Sequence, residues 1–127
     1  MGNMNVKPAD GKLGVLCVGL GAVTSTFMTG VLMARKGLAK PVGSMTQYDK
    51  MRVGRGENKK YLHYGEIVPL ADLKDIVFGA WDVYPANAYE SAINAEVLKE
   101  RDINPVKDEL EKIVPMKAAF DKNYASR

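Results

Sequence analysis

The octapeptide GLGAVTST, Gly19 to Thr26, follows the apolar run LGVLCV and leads into FMTGVLMARKG. A phosphate group binds where several donors converge on it. A tight turn at the carboxyl end of a strand, opening a helix, supplies backbone N–H groups and the positive end of the helix dipole. Gly19 permits such a turn, and Gly21 lets the backbone approach a pyrophosphate with no Cβ in the way. The third position of the G-x-G-x-x-G pattern is Thr24, small enough to keep the helix near the strand. Thr24, Ser25 and Thr26 add hydroxyls that can reach phosphate oxygens or cap the helix. No lysine follows in G-K-[ST] form, which removes the P-loop reading. The bland alternative is a glycine-rich turn that binds nothing. The strand before it and the helix after it favour a nucleotide.

A dinucleotide loop has a companion acid, usually about 20 residues further on, that bonds the adenosine ribose. At that distance the chain reads AKPVGSM, without a carboxylate, and Asp49 falls in a polar stretch. The better candidate is Asp82, directly after IVFGAW, where a strand end delivers its side chain to the crevice. The competing reading of Asp82 is a solvated turn or capping carboxylate. No arginine follows it to receive a 2′-phosphate, so NAD is favoured over NADP.

The elements that position these groups follow from periodicity. Leu13–Val18 is a continuous apolar run, the pattern of a strand buried on both faces of a parallel sheet. Val23, Phe27, Val31, Ala34 and Leu38 recur at helical spacing, giving one apolar face of a helix that ends near Gly37. Gly30 within it is expected to allow close packing on the sheet. Pro41 and Gly43 interrupt the pattern, Gly54–Lys60 reads as a polar turn and Tyr61–Val68 as a strand, which predicts an inserted hairpin. Ile76–Ala80 is a second parallel strand. Beyond Pro85, Asn87 and Glu90 form a capping box for a helix whose apolar face is Tyr89, Ala92, Ile93 and Val97. A last helix is predicted from Asn104–Pro105 to about Val114, stopped by Pro115. The class is α/β: a partial, Rossmann-like parallel sheet with flanking helices and an inserted hairpin. Residues 1–11 read as a flexible N-terminus and 12–127 as the partial NAD(P)-binding domain.

Composition narrows the remaining options. With 46% hydrophobic and 26% charged residues the chain matches ordinary soluble domains. A net charge of +3 is too mild to argue for nucleic acid or a membrane surface. No apolar run approaches the roughly 20 residues of a membrane-spanning helix. The start, MGNMNVKPADGK, has no signal-peptide core, and Val6 defeats a myristoylation motif. The single cysteine, Cys17, reads as a small core residue and suits a reducing cytoplasm. His63 has no second histidine or cysteine nearby and reads as a strand residue, so no metal site is expected. Lys50, Arg52, Arg55, Lys59 and Lys60 read as a solvated hairpin face that discourages edge pairing.

Three stretches resemble one family. GVLCVGLGAVTST, GSMTQY (Gly43 to Tyr48) and IVFGAWDVYPANAYESAINAEVL (Ile76 to Leu98) are similar to the amino-terminal part of inositol-3-phosphate synthases. The resemblance implies NAD as cofactor and glucose 6-phosphate as substrate, isomerised to an inositol phosphate by oxidation, aldol cyclisation and reduction. It implies a cofactor loop at Gly19, Gly21, Ala22, Val23 and Thr24, a ribose-binding acid at Asp82, and a homo-oligomer, tetrameric in the full-length family. Eukaryotic members carry G-G-N-N-G-S-T here. This loop is one residue shorter, with Ala22–Val23 in place of the asparagines, so it relies on backbone donors. The family's sugar-phosphate and proton-transfer lysines and acids come from later segments with no counterpart in residues 1–127. The chain alone is therefore expected to be inactive, with no catalytic residue of its own, and the unpaired edge of an incomplete sheet is expected to cause self-association or poor stability. The alternatives are a free-standing nucleotide-binding or interaction module, and part of another NAD-dependent oxidoreductase. The GSMTQ and AWD stretches favour the synthase over the latter.

Overall fold

The first strand, β1 (Leu13–Val18), runs directly into the helix α1 (Ala22–Arg35) through a three-residue turn. In the computed structural model, which describes residues 7–8, 10–121 and 123, β1 pairs in parallel with β4 (Ile76–Asp82). The other elements are a short helix α2 (Met45–Tyr48), the antiparallel hairpin β2 (Lys50–Val53) and β3 (Lys60–His63), and a one-turn helix α3 (Tyr64–Ile67). After β4 come α4 (Ala88–Ala95), α5 (Glu100–Ile103), α6 (Lys107–Glu111) and the short strand β5 (Met116–Lys117). The segment read as a flexible N-terminus lies largely outside the described residues.

The parallel sheet has the order β1-β4-β5. That is one half of a doubly wound sheet, in which the second strand lies beside the first and the third beyond it. The β2–β3 hairpin is therefore an insertion between α1 and β4, as the turn signals predicted. Arg35, in the last turn of α1, closes the insertion's base. Its Nε donates to Leu73 O at 2.6 Å, a terminal nitrogen donates to Ile76 O, and its guanidinium stacks 5.6 Å from the Phe78 ring centre.

The register places Leu13/Ile76, Val15/Phe78 and Cys17/Ala80 on one face of the sheet and Gly14/Val77, Leu16/Gly79 and Val18/Trp81 on the other. Only the first face is covered. Ala80 joins Leu20, Met28, Leu32, Ala88, Ala92, Ile103, Val106 and Leu110 in the core, with Cys17 and Phe78 packed against it. On the other face Leu16 is 61% exposed, Val18 90% and Val77 52%. The expectation of a strand buried on both faces is thus corrected. An apolar run records what both faces would bury, and here the core helices occupy one side.

The buried stripe of α1 also differs from the predicted one. It is Ser25, Met28, Thr29 and Leu32, with Val31 at its edge, while Val23 is 85% exposed. Ser25 and Thr29 are buried because their hydroxyls bond the helix's own carbonyls, Thr29 Oγ1 donating to Ser25 O at 2.7 Å and Ser25 Oγ to Ala22 O at 3.3 Å. Phe27 belongs to a neighbouring stripe and meets Phe78 edge-on, with ring centres 5.6 Å apart. Gly30 is exposed, and a Cβ added there would touch nothing within 4 Å, so it does not serve close packing.

Two further boundaries move. Tyr61–Val68 is half strand and half helix, because Glu66 reaches back to the His63 N–H at 2.7 Å and starts α3. The last helical unit begins at Glu100, before Asn104–Pro105. The proline sits instead in a 3-10 turn, Asn104–Val106, joining α5 to α6, which ends at Glu111. The α4 capping box forms as predicted: Asn87 Oδ1 accepts from Glu90 N–H at 2.9 Å, and Glu90 Oε2 accepts from Asn87 N–H at 3.0 Å.

Candidate nucleotide site

Gly19 begins the turn with φ +97°, a conformation other residues adopt only with strain. Its N–H donates to Trp81 O at 2.7 Å, which continues the β1–β4 ladder one step past the strand. The next N–H, of Leu20, donates to Asp82 Oδ2 at 2.6 Å. Gly21 is the N-cap of α1, and no side chain caps the helix. Ser25 N–H makes the first helical bond, to Gly21 O at 2.9 Å. The N–H groups of Ala22, Val23 and Thr24 therefore have no partner within the helix, and the helix dipole adds positive potential there. Around Gly19 and Gly21 there is open space: a Cβ built on either meets no atom within 4 Å. This fits a pyrophosphate, which needs backbone donors and close approach together.

Ser25 departs from the expected set. It is fully buried and both its donors are spent inside the helix, the hydroxyl on Ala22 O and the N–H on Gly21 O. Its place is in the packing under the loop. Gly19, Gly21, Ala22, Val23 and Thr24 are brought together at the open side of the turn.

Asp82 ends β4, the neighbour of β1, at the carboxyl edge of the sheet. It lies 62 residues from Leu20 in sequence and in hydrogen-bond contact with it in space. The long separation in sequence comes from the inserted hairpin, which lies between α1 and the strand beside β1. Its other oxygen, Oδ1, accepts from Tyr84 N–H at 2.9 Å, and its carbonyl accepts from Ala118 N–H at 3.0 Å. The Tyr84 and Leu20 N–H groups, the former more strongly, hold the Asp82 carboxyl below the ordinary carboxylate range. The side chain is an anion at neutral pH, with lone pairs left over for a ligand's hydroxyls.

Between the loop and α4 lies a cavity of about 360 Å³, lined in part by Gly21, Ala22, Asp82, Tyr84, Ser91 and Asn94. Sequence reasoning missed Leu20, Ser91 and Asn94. The three-residue spacing of Ser91 and Asn94 puts them on one face of α4, a signal available once α4 is known to pack beside the loop. A larger concavity of about 500 Å³ lies under the hairpin, beside Arg35, Asp72 and Lys74. It adjoins the C-terminal end of α1, where the dipole is negative. Its charges are already engaged, Arg35 on the Leu73 and Ile76 carbonyls and Lys74 with Asp72 at 3.5 Å. It does not suit a dinucleotide phosphate.

Residues 13–127 match the family model described as myo-inositol-1-phosphate synthase, a model of an NAD-binding domain. Inositol-3-phosphate synthase 1 of Bacteroides thetaiotaomicron is 59% identical over 123 residues, which are 96% of this chain and 28% of that protein. Isozyme 1 of the Arabidopsis thaliana enzyme is 31% identical, over 89% of this chain and 24% of that protein. The crystal structure of inositol-3-phosphate synthase from Caenorhabditis elegans superposes with a TM-score of 0.77 at 25% identity, covering 95% of this chain and 27% of that one. The chain thus spans about a quarter of the length of the relatives it matches.

Proposed function

The chain belongs to the myo-inositol-1-phosphate synthase family, and on that premise we propose that residues 12–127 form the partial NAD(P)-binding Rossmann-like domain of an enzyme that isomerises glucose 6-phosphate to an inositol phosphate. The observation that carries the site assignment is the 2.6 Å bond from Leu20 N–H to Asp82 Oδ2, which brings a glycine turn and an acid together at the ends of adjacent parallel strands.

Bound NAD supplies reversible hydride acceptance, which oxidation and later reduction of the sugar both require. The chain's own residues bind and orient. The N–H groups of Ala22, Val23 and Thr24 take the pyrophosphate oxygens, and Gly19 and Gly21 keep that approach open. Asp82 accepts from a ribose hydroxyl while still holding Leu20. Because its carboxylate is negative and fixed, it disfavours a 2′-phosphate at the same place. Chemistry on the sugar also needs donors around the substrate, and these are assigned to the remaining length of the family protein.

Calorimetric titration of the purified chain with NAD and NADP tests the site: saturable NAD binding with weaker NADP binding is expected, and binding of neither overturns it. An assay with glucose 6-phosphate and NAD tests the division of labour, with no turnover expected. Self-association of this chain is supported by its bare apolar sheet face, and a cytoplasmic location by the lone free Cys17. No helix among the described residues is long and apolar enough to cross a membrane.

A further inference from the structure

The cavity beside the loop is walled on its far side by α4, and that wall bears no cation. Of the residues lining it, Asp82 alone is charged, and the α4 contribution is Ser91, Asn94 and Ala95. Asp82 presents its carboxylate from the strand end, held by Leu20 and Tyr84 N–H. In sheets of this type the strand-end acid meets the ribose diol of the adenosine half. A ribose lying against Asp82 has α4 as the opposite boundary of the same cavity. A 2′-hydroxyl there meets neutral hydroxyl and amide groups and an acceptor. A 2′-phosphate would bring about two negative charges beside Asp82 with no lysine or arginine among the residues lining the cavity to receive them; Lys117, beside Asp82 on β5, does not line it.

We propose that Ser91 and Asn94 are specificity-determining residues, forming a neutral wall that with Asp82 selects a cofactor with a free 2′-hydroxyl. The inference rests on the assignment of a dinucleotide to this loop and adds the part of the ligand that α4 faces. Asn94 is the position to change. It is exposed on α4, so a longer side chain fits without repacking, and arginine favours a helix more than asparagine does.

The test is calorimetric titration of the full chain with NAD and NADP in three forms: unchanged, Asn94→Arg and Val97→Arg. Val97 is exposed just past the end of α4 and does not line the cavity, so it adds the same charge nearby without reaching the ligand. In Asn94→Arg the ratio of NAD to NADP affinity is expected to fall by about tenfold or more, the scale of one new charge-assisted hydrogen bond. Val97→Arg is expected to leave the ratio within about twofold, as a screened surface charge does. Thermal unfolding of each form confirms that it is folded. An unchanged ratio in Asn94→Arg, or an equal shift in Val97→Arg, overturns the role of the α4 wall while leaving the loop assignment standing. Failure of the unchanged chain to bind either nucleotide overturns both.

Discussion

Asp82 and Leu20 are joined by a 2.6 Å bond from backbone N–H to carboxylate, and through it the second core strand holds the turn that follows the first. The same carboxylate accepts from Tyr84 N–H, so it fixes its own exit loop as well. Asp82 is thus a structural clamp in addition to its proposed contact with the ribose. Asparagine retains only one acceptor oxygen and would turn an NH₂ toward one of the two N–H groups. Asp82→Asn is expected to cost about 1.5–3 kcal/mol, the range for a hydrogen bond to a charged group. NAD affinity should fall with it. Urea unfolding and calorimetry on the same sample check this, and an unchanged midpoint removes the clamp.

The clamp also has a sign in pH. Its N–H partners lower the Asp82 carboxyl from its usual value. A depressed folded value means that the stabilisation is fully present above the unfolded value of about 3.9 and is lost as pH falls through the folded value. The stability gap between the unchanged chain and Asp82→Asn should therefore be widest near neutrality and shrink in acid. Glu109, also lowered by its bond to Lys36, is common to both forms and cancels in the difference. A gap that stays constant between neutral pH and pH of about 3 would falsify this assignment.

Gly30 offers a gain. It sits in the middle of α1 in ordinary helical conformation, and an added Cβ meets open space. Gly30→Ala should stabilise the chain by about 0.5–1 kcal/mol, by restricting the unfolded backbone and restoring helix propensity. A loss of stability on urea unfolding would mean that the added methyl meets a neighbouring group instead of open space.

What the sequence disclosed follows from which interactions are local. The β1 run, the glycine turn, the onset of α1, the hairpin, and the Asn87–Glu90 box depend on neighbours a few residues apart, and their patterns were readable. The buried face of α1 was not, because Ser25 and Thr29 look polar until their hydroxyls close on the helix itself. Nor was the exposure of Leu16 and Val18, since an apolar strand does not record which of its faces the same chain covers. Asp82 stands out as a candidate by its place after an apolar run, but its partner Leu20 lies 62 residues away and leaves no local trace. Ser91 and Asn94 required knowing that α4 packs beside the turn.

Asn87 carries the cap of α4, the helix that walls the proposed ribose site, and Glu90 reciprocates at 3.0 Å. Asn87→Ala removes the acceptor for Glu90 N–H and should cost about 1 kcal/mol. Asn87→Ser, which also caps, should recover most of it. Circular dichroism through urea unfolding checks both; equal losses for alanine and serine would show that the asparagine acts by something other than capping.

The bare sheet face leads to the last expectation. Leu16, Val18 and Val77 form an apolar strip on a parallel sheet whose other side holds the core. Water contact over such a strip is unfavourable by about 25 cal/mol per Å² of apolar surface, so two copies gain by meeting there. Val18 is the most exposed of the three, and its side chain packs on nothing that α1 or α4 requires. Val18→Lys should therefore leave the unfolding midpoint of the dilute chain nearly unchanged. It should also shift sedimentation at high concentration toward the monomer, because each contact would bury an unpaired ammonium. A chain that sediments as a monomer without the substitution, or an assembly that Val18→Lys does not weaken, would place self-association on some other surface.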